Sequence, residues 1–189
     1  MIGIYKIKIV NNEHLYGKGK RLLIFLKGCS IHCKGCINKH LWSFEGATFM
    51  DEKEIFALAI KENVEGITLH GGEPLDQAKS LYNLVKMVKD NKMSVILFTG
   101  YKKLELDKIQ KKIWDISDIV ISGRFVMSKR NVSLQFRGSS NQRVYVHKGI
   151  YKGYRIKDDK TVTLLTLDEK GNLDINGFIT GDILKIIGN

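Results

Sequence analysis

Three cysteines fall within eight residues, in the segment Gly28-Cys29-Ser30-Ile31-His32-Cys33-Lys34-Gly35-Cys36, and the chain has no others. Thiolates are soft ligands suited to iron–sulfur clusters and to zinc. Three of them on one loop hold three corners of a cubane and leave the fourth iron without a protein ligand. Zinc is the rival, because His32 or His40 would complete a Cys3His set. Spacing alone leaves both readings open. A simple electron-transfer cluster normally takes four cysteines. An odd number in one short stretch fits a disulfide framework badly. In a reducing compartment it points to metal binding or catalysis.

A second motif lies further along, Gly71-Gly72-Glu73-Pro74, and Pro74 is the only proline in the chain. By itself a Gly-Gly pair reads as an ordinary turn between strand and helix. Beside the cysteine loop it becomes a candidate part of one site.

Both motifs follow apolar runs that read as strands. Residues 21–26 (Arg-Leu-Leu-Ile-Phe-Leu) form a short buried-strand pattern directly before the cysteines. Residues 65–70 form a second, ending at the Gly-Gly motif. Residues 94–99 and 118–122 form a third and a fourth, closed by Gly100 and Gly123. Helices are predicted between them. One starts at the acidic stretch 51–54, where negative charge suits the positive end of the helix dipole. Another spans about 75–90, with Leu75, Ala78, Leu81, Leu84, Val85 and Val88 on one face. A third spans about 104–116. Strands alternating with helices imply parallel βα units, whose binding face lies at the C-terminal ends of the strands. Each glycine-bearing motif sits at such an end.

After Gly123 the alternation stops. Residues 124–143 read as a long loop with a short strand. Residues 161–167 and 173–178 read as a β-hairpin, and 182–187 as a final helical turn. The expected fold is α/β: an incomplete βα barrel with mostly parallel strands and a small β-rich extension. The expected division is residues 1–149 as the core and 150–189 as the extension, which packs structurally, covers the barrel opening, binds a partner or dimerises.

The chain has 189 residues and 43% hydrophobic content, enough for a packed core without disulfide staples. Its net charge of +11 is carried entirely by residues 1–149, which hold 25 basic and 14 acidic side chains. Dispersed lysine is usually a solvated surface, and no nucleic-acid motif accompanies it, so direct nucleic-acid binding is not expected. No apolar run reaches membrane-span length, and residues 1–6 lack a signal-peptide layout. A cytoplasmic protein is expected.

The C-x3-C-x2-C loop after one strand, with Gly-Gly-Glu-Pro after the next, resembles the radical S-adenosylmethionine superfamily. Residues 17–21 (Gly-Lys-Gly-Lys-Arg), Phe25, Gly28-Cys29, Cys36-Ile37-Asn38 and Trp42 narrow this. They are similar to the anaerobic ribonucleoside-triphosphate reductase-activating proteins. Thr99-Gly100-Tyr101, Ser122-Gly123-Arg124-Phe125 and the stretch 137–143 (Arg-Gly-Ser-Ser-Asn-Gln-Arg) extend the likeness, which covers roughly residues 10–147.

The resemblance implies one 4Fe–4S cluster on Cys29, Cys33 and Cys36, with S-adenosylmethionine on its open iron. Gly35, Cys36 and Ile37 match a segment lying along that cofactor. Gly71, Gly72, Glu73 and Pro74 match the stretch receiving its methionine amino group. Asn38 and Thr99 are further cofactor candidates. No side chain is assigned as a general acid or base. The implied protein substrate is the large subunit of an anaerobic ribonucleotide reductase, which receives a glycyl radical. A flavodoxin- or ferredoxin-type donor would supply the electron. Two departures stand out: Tyr16-Gly17-Lys18-Gly19 replaces the usual Asp-Gly-Pro-Gly, and Ser122 replaces a frequent Asp. They keep open a radical enzyme acting on another peptide or small molecule. A non-catalytic zinc or iron–sulfur module is the reading from another class.

Overall fold

In a computed structural model, which describes residues 1–147, 149–158, 160–167, 171 and 173–177, a seven-stranded sheet carries the fold. Its centre is four parallel strands: β2 (Arg21–Leu26), β4 (Gly66–Gly71), β5 (Ser94–Thr99) and β6 (Ile119–Ser122). These are the four strands expected from the apolar runs. The flanks are antiparallel: β1 (Ile2–Val10) and β3 (Thr48–Met50) on one side, β7 (Arg143–Val146) on the other. The sheet is therefore mixed α/β with a parallel core rather than parallel throughout.

The two faces of the sheet do different work. Leu22, Ile24, Leu26, Ile67, Leu69, Val95 and Leu97 face the helices and are buried against them. Those helices are α2 (Glu52–Lys61), α3 (Ala78–Asp90) and α4 (Lys108–Ile116). Burial on both faces explains why the central strands read as unbroken apolar runs. Local chemistry sets where the helices begin. Asp51 and Glu54 form a reciprocal capping box at α2, and Asp107 with Gln110 forms one at α4. Asp107 is extended, so α4 starts there and not at 104. Likewise a 3-10 turn over Pro74–Gln77 precedes α3, since proline donates no backbone hydrogen bond.

The opposite face is concave and is lined at its lower end by polar side chains. Arg21, fully buried, donates to Thr68 Oγ1 (2.8 Å), Ser94 Oγ (2.7 Å) and the Ile67 carbonyl (2.5 Å). One guanidinium thus ties the starts of three parallel strands. Tyr151 closes this end. It is fully buried, and its hydroxyl accepts from Lys18 N at 2.7 Å. Residues 149–158 are stitched to the core through further bonds, Gln135 to Tyr154 (2.7 Å) and Lys157 N to Gln135 (2.7 Å) among them.

The expected hairpin is present as β8 (Thr163–Leu167) and β9 (Leu173–Gly177). The predicted helical turn at 182–187 lies outside the described residues. Among the described residues, no helix is long and apolar enough to cross a membrane.

Candidate active site

The ends of β2, β4, β5 and β6 meet at one cavity of about 550 Å³. Its wall includes Cys29, Cys33 and Cys36, all with free thiols and only partly exposed. Ile37, Asn38, Gly71, Gly72, Glu73 and Thr99 also line it. Two residues singled out from sequence stand behind the wall: Gly35, whose added Cβ would meet Met127, and Pro74, buried at the head of the 3-10 turn.

The cysteine loop is held from several directions. Gly28 N donates to the Leu41 carbonyl and Cys29 N to the Trp42 carbonyl, both at 2.9 Å. Lys27 Nζ donates to the carbonyls of His40 (2.9 Å) and Glu45 (2.5 Å), drawing in the segment that follows. Ser30 bonds Asp76 through its backbone N–H (2.6 Å) and its hydroxyl (3.0 Å), and Tyr101 donates to the same carboxylate at 2.7 Å. Nothing in the spacing pointed to Asp76.

Gly71 and Gly72 have a steric role. Gly72 N donates to the Leu26 carbonyl and Glu73 N to the Gly28 carbonyl, both at 2.8 Å. A Cβ on Gly72 would lie 2.2 Å from Gly28 O, and one on Gly71 would lie 2.5 Å from Leu26 backbone. Gly71 also has φ +111°, which side chains disfavour. Only glycine lets this backbone lie against the root of the cysteine loop.

Glu73 fastens β4 to β5. Its buried carboxylate accepts from Leu75 N (2.9 Å), Thr99 Oγ1 (2.8 Å) and Gly100 N (2.7 Å). Burial pushes its pKa up to about 7, against the pull of these donors. Thr99 therefore spends its hydroxyl proton on Glu73. His70, the residue before the glycines, lines the cavity and is half-buried. Its Nδ1 accepts from Gly71 N at 2.7 Å, and its ring lies between Phe25 and Phe98. Burial lowers its pKa to about 4, so it is a neutral imidazole carrying its proton on Nε2.

The stretch 137–143 acts as a clamp. Gln142 accepts from Gly138 N (2.8 Å) and Ser139 N (3.2 Å) and donates to the Gly123 carbonyl (2.9 Å). Asn141 donates to the Arg124 carbonyl at 2.9 Å. This fixes the loop after β6 through its Gly123 and Arg124 carbonyls. Burial raises the thiol pKa of Cys29 and of Cys33. Both thiols thus hold their protons until a metal displaces them. Ser122, at the position noted as a departure, donates to the Tyr101 carbonyl at 2.8 Å.

The residues fit a cluster with one open corner. Three soft thiols share one loop on the rim of a roomy hollow, and the buried Trp42 Nε1 beside them has no protein acceptor. The histidines weighed for zinc are turned elsewhere: His32 stacks on Trp42 at 4.4 Å, and His40 packs edge-on to Tyr5 at 5.1 Å. Among the described residues no three His, Cys, Asp or Glu side chains are grouped to hold a single ion.

Comparison with known proteins points to an iron–sulfur protein. Residues 15–145 match the family model described as a 4Fe-4S single cluster domain. The anaerobic ribonucleoside-triphosphate reductase-activating protein of Pasteurella multocida is 36% identical, over 75% of this chain and 93% of its own. The chain belongs to the anaerobic ribonucleoside-triphosphate reductase-activating protein family. The activating protein of Haemophilus influenzae is 34% identical, over 70% of this chain and 91% of its own. That of phage T4 is 31% identical, over 79% and 96%. QueE from Escherichia coli aligns with 52% of each chain at 18% identity and a TM-score of 0.45, a likeness too slight to bear on function. For a reductase-activating protein the clamp at 137–143 is informative. Gln142 and Asn141 in it bond the Gly123 and Arg124 carbonyls, bracing the loop that follows β6.

Proposed function

We propose that the chain is a radical S-adenosylmethionine enzyme that places a glycyl radical on an anaerobic ribonucleoside-triphosphate reductase. The observation carrying this is the meeting of Cys29, Cys33 and Cys36 with Gly71–Gly72 on one cavity wall. When bound, the cluster and S-adenosylmethionine would supply one-electron radical chemistry able to take a hydrogen atom from the substrate.

The chain's own residues position and shield that chemistry. Cys29, Cys33 and Cys36 would hold the cluster. Gly71 and Gly72 leave backbone, not side chain, facing the cofactor's methionine end. Gly35, Cys36, Ile37 and Asn38 run along the cofactor, while Glu73, Pro74 and Thr99 support this wall. Phe25, Phe98 and Phe136 give it an apolar floor that limits water near a reactive radical. No side chain needs to move a proton.

The concave face of the parallel strands serves as an incomplete βα barrel, open enough for a protein loop. Residues 1–149 form its body and 150–189 an extension. A flavodoxin- or ferredoxin-type donor supplies the electron in the cytoplasm, and neither membrane nor nucleic acid takes part.

The test is anaerobic cluster reconstitution, reduction with S-adenosylmethionine, and detection of 5′-deoxyadenosine with and without the reductase. A brown protein that releases 5′-deoxyadenosine and leaves a glycyl radical signal on the reductase is expected. A colourless zinc protein, or cleavage with no radical on the reductase, overturns the reading.

A further inference from the structure

The hairpin lies beyond the segment matched by the family model, which ends at residue 145. Yet Val162, Ile175 and Gly177 form part of the cavity wall. A Cβ on Gly177 would stand 3.4 Å from Leu15 Cδ2, so the hairpin comes close to the short helix α1 (Glu13–Tyr16), which also lines the cavity. Residues outside the family's common segment therefore shape the site.

The hairpin has one apolar face. Alternation along β8 and β9 puts Leu165, Leu167, Leu173 and Ile175 on the same side. Leu165 pairs across with Ile175, and Leu167 with Leu173. Ile175 turns into the cavity wall, whereas Leu165, Leu167 and Leu173 are 40%, 68% and 45% exposed. From Leu173 to Gly177 the strip runs about 14 Å at roughly 3.4 Å per residue. It leads from solvent to the cavity that holds the cysteines. Exposed leucines grouped on one face mark a binding surface more often than chance scatter does.

We propose that this strip receives the glycine-bearing segment of the partner reductase, in extended form, and guides it into the cavity. The proposal rests on the function given above and adds where the substrate polypeptide docks. Continuity selects the occupant. A small molecule held in the cavity has no use for an apolar strip outside it, whereas an extended chain must cross that strip to bring one Cα inward. A second copy of this chain is disfavoured by size, because stable dimers bury about 1,600 Å² and this face offers only a few hundred Å², roughly. Among the described residues β8 and β9 pair with each other as a two-stranded sheet, so each strand has an outer edge. Backbone pairing along such an edge is a common way to hold an extended segment.

The test uses full-length chain with reconstituted cluster and the intact reductase. The double variant Leu167→Ser/Leu173→Ser changes the outer cross-strand pair and leaves the cavity wall alone. Expected are reductase affinity at least tenfold weaker, fewer glycyl radicals per 5′-deoxyadenosine, and an unchanged rate of S-adenosylmethionine cleavage without reductase. The conservative Leu167→Met/Leu173→Met variant should keep affinity, and the unchanged cleavage rate without reductase shows that the hairpin residues lining the cavity stay in place in the serine variant. Equal affinity of wild type and serine variant, with wild type still activating the reductase, overturns the docking strip but not the activity. A wild type that dimerises through this face, with serine substitution abolishing the dimer and leaving reductase affinity intact, also overturns it. A wild type that neither binds nor activates the reductase overturns both.

Discussion

Replacing Glu73 with alanine tests the balance between burial and hydrogen bonding at the centre of the site. The carboxyl is 1% exposed and accepts three hydrogen bonds, from Leu75 N, Thr99 Oγ1 and Gly100 N. Removing it strands three donors, at a net loss of about 1 kcal/mol each, or roughly 3 kcal/mol. The pH dependence follows from the raised pKa. Between the ordinary value of 4.5 and about 7 the folded state binds more protons at Glu73 than the unfolded state. Wild-type stability from this group is therefore fully present below 4.5 and declines as pH rises to about 7. The alanine variant has no such decline. From about pH 5.5 to pH 8 the wild type should lose roughly 2 kcal/mol relative to the variant, at 1.36 kcal/mol per unit. The variant's deficit should shrink from about 3 kcal/mol at pH 5.5 to about 1 kcal/mol at pH 8. Urea denaturation of cluster-free protein at both pH values measures this, because other titrating groups cancel in the difference. A deficit that grows toward pH 8 would show that the donors outweigh burial and that the carboxylate is the preferred form, refuting the reasoning.

Gly72→Ala forces a Cβ to within 2.2 Å of Gly28 O, so the root of the cysteine loop must shift. Iron and sulfide bound per chain after reconstitution should drop well below wild type, and full loading would contradict the close-packing account. Arg21→Met leaves Thr68, Ser94 and the Ile67 carbonyl without their buried donor. Loss of three such bonds costs about 3 kcal/mol at about 1 kcal/mol each, a fall of roughly 6–12 °C in thermal midpoint, and a loss under about 1 kcal/mol would argue against its bracing role. For His70→Gln the sign is opposite to that at Glu73. A folded pKa lowered from 6.5 to about 4 means stability present above 6.5 and lost as pH falls through 4. Wild type should weaken relative to the variant across that window, and parallel denaturation profiles at pH 7 and pH 5 would sink the assignment.

Much of the site was legible because its signals are local. Three thiols on one loop, two glycines after an apolar run, and four such runs separated by helical periodicity need no long-range knowledge. Nearest-neighbour spacing placed both motifs at the C-terminal ends of parallel strands, and the structure brings them there. β1 was not read from its sequence. Its register breaks at a bulge between Ile4 and Lys6, and Ile9 is 40% exposed, so the alternation that marks a strand is blurred.

The sequence by itself determined the parallel core and the family, since each is written in residue types at short spacing. Tertiary structure alone decided what braces them. Ser30 finds Asp76 and Tyr101, 46 and 71 residues away, and Arg21 finds Tyr151 across 130. Such partners obey no period, because they are chosen by which strand ends the sheet order brings together. The same holds for the extension. Its alternation announced a hairpin, but only the tertiary structure put Val162, Ile175 and Gly177 into the cavity wall.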